Sequence, residues 1–224
     1  MSLTTGYEIT TAATNLFNAV ITVILMIDIF RMKGPAVRKY VWGASFGLFL
    51  LVCLLGTYAH GVQLSDAARS RTWDILYIVM AFMAASLAVS VLYEIHGPAC
   101  LKKAVPAFAA SAVVFVILRQ MFSSYVPNDF VLFLIYCGGI LIFLIIKLFL
   151  ARREKPHMVI GLWGIGTLIA ASVLQNVKAI QFHLIWDFNY NAVYHLVTLI
   201  SVVLMYCFVK RAYELDTAKE RDRN

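Results

Sequence analysis

Asp187, Asn191 and His195 stand at i, i+4 and i+8 in a chain of 224 residues. At about 3.6 residues per turn they form one stripe on a helix face, with His195 roughly 12 Å along the axis from Asp187. A second group, GTYAH ending at His60, is joined to Asp74 by a short connection around Ser65–Ser70. If the flanking helices extend a turn into that connection, His60 and Asp74 reach a depth comparable to His195. Two imidazoles with carboxylates beside them inside a helix bundle can hold Zn²⁺. A zinc-bound water has its pKa lowered toward about 7 and can attack an amide or ester carbonyl. On this chemistry His60, His195 and Asp187 are the candidate metal ligands, with His183 a further donor. Asp74 is the candidate general base, and Arg119 or Lys178 the cation for an oxyanion or anionic head group. Asn15, Asn18, Tyr77, Asn191, Tyr194 and Lys178 are candidate ligand-binding residues. Each has a plainer reading: a lone histidine as a hydrogen-bonded core residue, Asp187 or Asn189 as the N-cap of the last helix, Asp74 as the cap of the third.

The elements that must position these residues follow from composition. The chain is 62% hydrophobic and 14% charged, with a mean hydropathy of +0.81. A soluble domain carries about a quarter charged residues, so this apolar surface calls for lipid as solvent. Continuous apolar runs such as Phe130–Leu150 favour helices over barrel strands, which would alternate. A hydrocarbon core about 30 Å thick takes roughly 20 residues of helix. Seven stretches meet or approach that length: Tyr7–Phe30, Val41–Val62, Trp73–Tyr93, Val105–Phe122, Phe130–Leu150, Met158–Val177 and Asn189–Val209. Gly34-Pro35, Gly97-Pro98, Val126-Pro127-Asn128-Asp129 and Pro156 mark the turns. The expectation is an all-α bundle of seven transmembrane helices forming one domain over residues 1–224, with a tail from about residue 212.

Net charge is +7, and its distribution excludes a nucleic-acid role. Lys and Arg cluster after the first, third, fifth and seventh spans, while the other connections hold only Arg69, Arg71 and Lys178. The positive-inside rule then predicts the N-terminus outside and the C-terminus in the cytoplasm of a cell-membrane protein. The unusual polar residues collect at the predicted outer ends, and the inner halves read as nearly all apolar apart from Asp28 and Lys147. Intramembrane polar groups are costly and mark functional sites, so the sequence predicts one polar pocket opening outward. His96 and His157 read as solvated loop residues. Cys53, Cys100, Cys137 and Cys207 read as apolar packing residues with no paired spacing.

The layout resembles the superfamily of alkaline ceramidases, adiponectin-receptor-like proteins and hemolysin-III-like bacterial proteins (CREST). GTYAH with His60, Asp74, and FNYNAVYH with Asn191 and His195 carry the resemblance. It implies a zinc held by one histidine ending the second helix and a histidine pair in the seventh. It also implies an aspartate for the bound water at the start of the third helix, and a serine one turn before the helix-two histidine. Asn191 stands where the first histidine of the pair is expected, and Gly56 or Thr57 where the serine is. The function expected is a zinc-dependent hydrolase of a lipid amide or ester. The alternative is a non-enzymatic receptor or sensor binding a small ligand or lipid in the same pocket. A transporter would want polar residues through the full depth, and a retinal protein a lysine inside the seventh span, which Lys178 is not.

Overall fold

Long apolar runs bounded by Gly, Pro and Ser give seven helices, α1 Tyr7–Arg31, α2 Ala36–Gly61, α3 Asp66–His96, α4 Leu101–Phe122, α5 Asp129–Ala151, α6 Met158–Asn176 and α7 Tyr190–Arg221. These come from a computed structural model describing residues 2–122, 125 and 129–222. The expected turn at Val126-Pro127-Asn128 lies outside the described residues, as does Arg223. All seven helices are long and apolar enough to cross a membrane, and the chain is an integral multi-pass membrane protein.

Ends of helices differ from the sequence expectation for local reasons. Ser65 Oγ accepts from Ala68 N at 3.4 Å, so Ser65, not Asp74, caps α3, which starts two turns earlier than its apolar run. Gly97, at φ 76°, closes that helix by donating from its N–H to Tyr93 O at 2.7 Å. A glycine tolerates this left-handed turn without a Cβ clash. Between α6 and α7 the chain forms a hairpin, β1 Gln181–His183 paired antiparallel with β2 Asp187–Asn189. α7 continues to Arg221 rather than ending near residue 209.

The helices close into a ring. α1 packs on α2 and α7, α2 on α3, α3 on α5, α5 on α6, and α6 on α7, while α4 rests mainly on the outside of α3. Accordingly 56% of the most apolar window of α3 is buried but only 17% of that of α4. Ala81, Ala84, Ala85 and Ala88 let neighbouring helices approach the α3 axis. On α6 a Cβ at Gly164 would lie 2.5 Å from Met205 Sδ, and Ser201 Oγ donates to Gly164 O at 2.6 Å. The main core, with Ile29, Trp42, Val91, Leu144, Met158 and Phe208 at its centre, fills the half of the bundle away from the N-terminus. Side chains such as Ile24, Ile135 and Trp163 remain exposed on the perimeter, where lipid is their solvent.

Candidate functional site

The polar residues at the N-terminal end of the bundle converge on a hollow between α1, α2, α3 and α7. His60, in the last turn of α2, places Nδ1 2.7 Å from Glu8 Oε2 on α1. Its backbone carbonyl accepts from Thr4 Oγ1 at 2.6 Å. Residues 2–4 cross this end of α2 through Thr4 N to Gly61 O and Gln63 N to Ser2 O. The residue is 9% exposed, with the Trp73 ring edge-on to the imidazole at 5.6 Å. A proton on Nδ1 donated to Glu8 leaves Nε2 as the free lone pair of a neutral ring.

His195, in the second turn of α7, faces it with ring centroids 6.5 Å apart. Asn15 Nδ2 lies 2.9 Å from His195 Nε2 and also donates to Thr11 O at 3.3 Å. The amide N–H donates, so Nε2 accepts and the proton of a neutral His195 sits on Nδ1. Asn18 Nδ2 donates to the His195 carbonyl at 2.9 Å, tying α1 to α7 a second time. Gly56 makes room for this: a Cβ there would lie 3.0 Å from both Asn15 Nδ2 and Oδ1. The glycine, read from sequence as a departure from an expected serine, is the seat of the Asn15 amide.

The other predicted residues divide. Gln175 Nε2 reaches Asn191 Oδ1 at 3.4 Å, and Tyr77, Tyr194 and Asn191 line the hollow with His60, His195 and Asn15. Asp74 accepts from Arg119 Nη2 at 2.8 Å, and the Arg119 guanidinium lies over the Tyr77 ring at 4.5 Å. The proposed base and the proposed oxyanion cation are therefore paired with each other behind the Tyr77 wall. Asp187 falls in β2, not on α7, and hydrogen-bonds His183 Nδ1 across the exposed hairpin at 2.8 Å. The stripe from Asp187 to His195 is broken because Asn189 caps α7, its Oδ1 accepting from Ala192 N at 2.9 Å and from Thr11 Oγ1 at 3.1 Å. Lys178 is exposed in the turn after α6.

The donor set bears on a metal. Tetrahedral zinc at a protein site takes at least three protein ligands, each imidazole nitrogen within about 2.1 Å. Here two imidazoles share the hollow, and Nε2 of one accepts from an amide. Among the described residues no group of three or more His, Cys, Asp or Glu side chains is placed to hold an ion. Two imidazoles alone supply fewer protein ligands than such a zinc site takes.

The hollow has a volume of ≈80 Å³, and a second cavity of ≈90 Å³ lies beneath it. Both are lined by Phe49, Val52, Met80, Phe133, Tyr194 and Thr198. The lower one continues over Phe46, Met83 and Leu168 to Trp42 and Met205. Thr198, 2% exposed, lies where the two spaces meet. Glu8, which holds His60, is a side chain to which the sequence reading assigns no role. Its signal was available: the antiparallel course of α1 and α2 puts the start of one beside the end of the other.

Fold and hollow together define a seven-helix membrane protein with a polar chamber at one end, opening on an apolar one. The chain belongs to a family described as Family of unknown function (DUF6962), whose model matches residues 10–214. No curated protein and no solved structure matches the chain.

Proposed function

We propose that this chain is a receptor or sensor of the cell membrane, N-terminus outside and C-terminus cytoplasmic, that binds a small amphiphile in the two-part chamber. The observation that carries the reading is the shared wall of the two cavities. Glu8-held His60, Asn15, His195, Gln175 and Asn191 offer donors and acceptors for a polar head, and the space over Phe46, Phe49 and Met83 offers a dry berth for hydrocarbon. Each cavity is smaller than the ~150 Å³ space that admits a benzene, so the head is small and the tail short or slender. The lysines and arginines on alternate connections support the orientation.

The test uses full-length protein in phosphatidylcholine nanodiscs and the intrinsic fluorescence of Trp73, which abuts His60. Octanol, octanoic acid and octylamine are the probes, sharing a tail and differing in head. One of them is expected to perturb the fluorescence saturably, with His60→Ala and Asn15→Ala each weakening it roughly tenfold. Indifference to all three heads, or equal binding by both variants, refutes the reading.

A second reading, a zinc-dependent hydrolase of a lipid amide or ester, has one observation in its favour. The Glu8 carboxylate on His60 Nδ1 is the arrangement that orients an imidazole and raises its basicity toward a metal. The resemblance to the ceramidase and adiponectin-receptor superfamily points the same way. This reading requires close to one zinc per chain after chelator-free purification, and ester or amide turnover abolished by His195→Ala.

A further inference from the structure

The hairpin between α6 and α7 has two unlike faces. Phe182 pairs with Phe188, their rings stacked with centroids 5.3 Å apart and planes 10° apart. The flanking pairs, Gln181 with Asn189 and His183 with Asp187, fall on the other side, because successive residues of a strand alternate. Leu184 N donates to Trp186 O at 3.2 Å and extends the pairing by one step. The period of two then brings Leu184 and Trp186 to the phenylalanine side, with Ile185 at the tip. The segment is thus polar on one face and apolar on the other. The protein leaves most of the apolar face bare: Leu184 is 69%, Ile185 85% and Trp186 63% exposed.

Position says what covers it. Asn189, on the polar face, accepts from Thr11 Oγ1 at 3.1 Å, and Thr11 lies inside the first span, Tyr7–Arg31. The base of the hairpin therefore sits level with the end of a span, its polar face turned to α1 and its apolar face turned away. Both arms run directly into spans, Met158–Asn176 before and Tyr190–Ala218 after. From Asn189 to Ile185 the chain advances only about 13 Å, at roughly 3.3 Å per residue, so the tip cannot travel far from the hydrocarbon boundary. Val173 on α6 and Leu196 and Ile200 on α7 are exposed on the lipid-facing perimeter, and the apolar face of the hairpin carries that surface onward along the chain. Tryptophan, with an apolar ring and one N–H donor, is suited to the headgroup level where such a face would lie.

We infer that the hairpin is an interfacial anchor, its apolar face seated in phospholipid at the boundary of headgroups and acyl chains on the N-terminal side of the membrane, with His183 and Asp187 turned to water. Seated there, it holds Asn189 against Thr11 and on the first turn of α7. The test uses full-length protein in phosphatidylcholine nanodiscs large enough for two chains. The quenchers are lipids brominated close to the headgroup, lipids brominated close to the chain end, and iodide in the water. The emission lost on Trp186→Phe is the Trp186 component. It is expected to be mostly quenched by the shallow bromine, less by the deep bromine and little by iodide. Ile185→Trp and His183→Trp, each in the parent chain, add a reporter to the tip and to the polar face at exposed positions. The emission gained with Ile185→Trp should behave as Trp186 does, and that gained with His183→Trp should yield to iodide instead. Ile185→Trp decides the matter by itself should Trp186→Phe fold poorly. Iodide reaching Trp186 as readily as the His183→Trp reporter puts the tip in water and overturns the inference. Protection of Trp186 from bromine and iodide alike means that a second copy of the chain covers the face, and overturns it too. Stronger quenching by the deep bromine than by the shallow one overturns the interfacial seat.

Discussion

Replacing Gly56 by alanine isolates the contact on which the chamber's geometry turns. The new Cβ would meet Asn15 Nδ2 and Oδ1 at 3.0 Å and Cγ at 3.1 Å. The amide cannot retreat freely, since Nδ2 serves His195 Nε2 at 2.9 Å and Thr11 O at 3.3 Å. A shift of a few tenths of an ångström stretches the shorter bond beyond the ~3.2 Å limit of good geometry. Losing it costs about 1 kcal/mol net, and up to ~3 kcal/mol if the imidazole nitrogen is left unmet. The gain from alanine over glycine in a helix, up to ~1 kcal/mol, offsets part of this. Gly56→Ala is therefore expected to destabilise by about 1–2 kcal/mol. Gly47→Ala is the control on the same helix, with nothing within 4 Å of its Cβ, and should be neutral or slightly stabilising. Thermal unfolding in nanodiscs provides the measurement, extended to a cycle with Asn15→Ala. Because Asn15→Ala removes the atoms the new methyl would strike, the double variant should lose less than the sum of the singles by about 1 kcal/mol. Strict additivity, or a Gly56→Ala chain as stable as Gly47→Ala, refutes the argument.

At the opposite end, Glu94→Leu leaves Arg38 Nε and Trp42 Nε1 without the Oε1 they share at 2.9 Å, and is expected to cost about 3–5 kcal/mol in denaturant titration. Asp216→Asn removes only the half-exposed partner of Arg38 and should cost less than about 1 kcal/mol; a larger loss than Glu94→Leu would reverse this assignment. Asn189→Ala removes the cap of α7 and the bond from Thr11, for about 1–2 kcal/mol, and Asn189→Ser should recover most of it, as unfolding midpoints will show. His157 lies outside the spans, and burial first, then Lys155, Arg211 and Arg38, hold it below the ordinary value of 6.5. The unfolded chain then binds the proton more readily, so stability is full above about 6.5 and falls as pH drops through the folded value. Unfolding temperatures at about pH 7.5 and pH 5.5 should show a smaller drop for His157→Gln than for the parent, and an equal drop would exclude His157 as the source.

Seven spans were readable because an apolar run of some 20 residues has one solution in lipid, and because Gly, Pro and Ser mark the breaks. The hairpin Gln181–Asn189 was not, since nine residues of mixed polarity between two helices read as a loop until the register pairs His183 with Asp187. That error carried Asp187 onto α7 and made a stripe of three from a true pair, Asn191 and His195. Periodicity places residues on a face but does not say where the helix begins, and the cap Asn189 decided it. The pairs that build the hollow, Glu8 with His60 and Asn15 with His195, are 52 and 180 residues apart in sequence, so no local pattern announces them. In sequence Arg38 is one of the basic residues after the first span, and Glu94 stands at the end of an apolar run. Burial, which sequence does not show, turns that pair, with Asp216, into the tie between α2, α3 and α7.

The polar groups fall into two layers separated by the apolar chamber, and this separation decides between a binding site and a pathway. An ion leaving the layer around His60 and His195 would have to shed its water beside Phe49, Met80 and Phe46, at a cost of several kcal/mol or more in a low-dielectric interior. At the far side it would meet Trp42, whose indole N–H is already given to Glu94, and a guanidinium held by two carboxylates. A hydrocarbon chain meets no such cost on the same route. On the proposed reading, solvation favours an occupant that is apolar below and polar above. The chamber's floor, Trp42, lines the lower cavity and also donates to Glu94 in the ion network fastening α7. Any transmission from one end to the other must use two arrangements of that indole that an occupant tells apart, because contact without such a difference shifts no equilibrium.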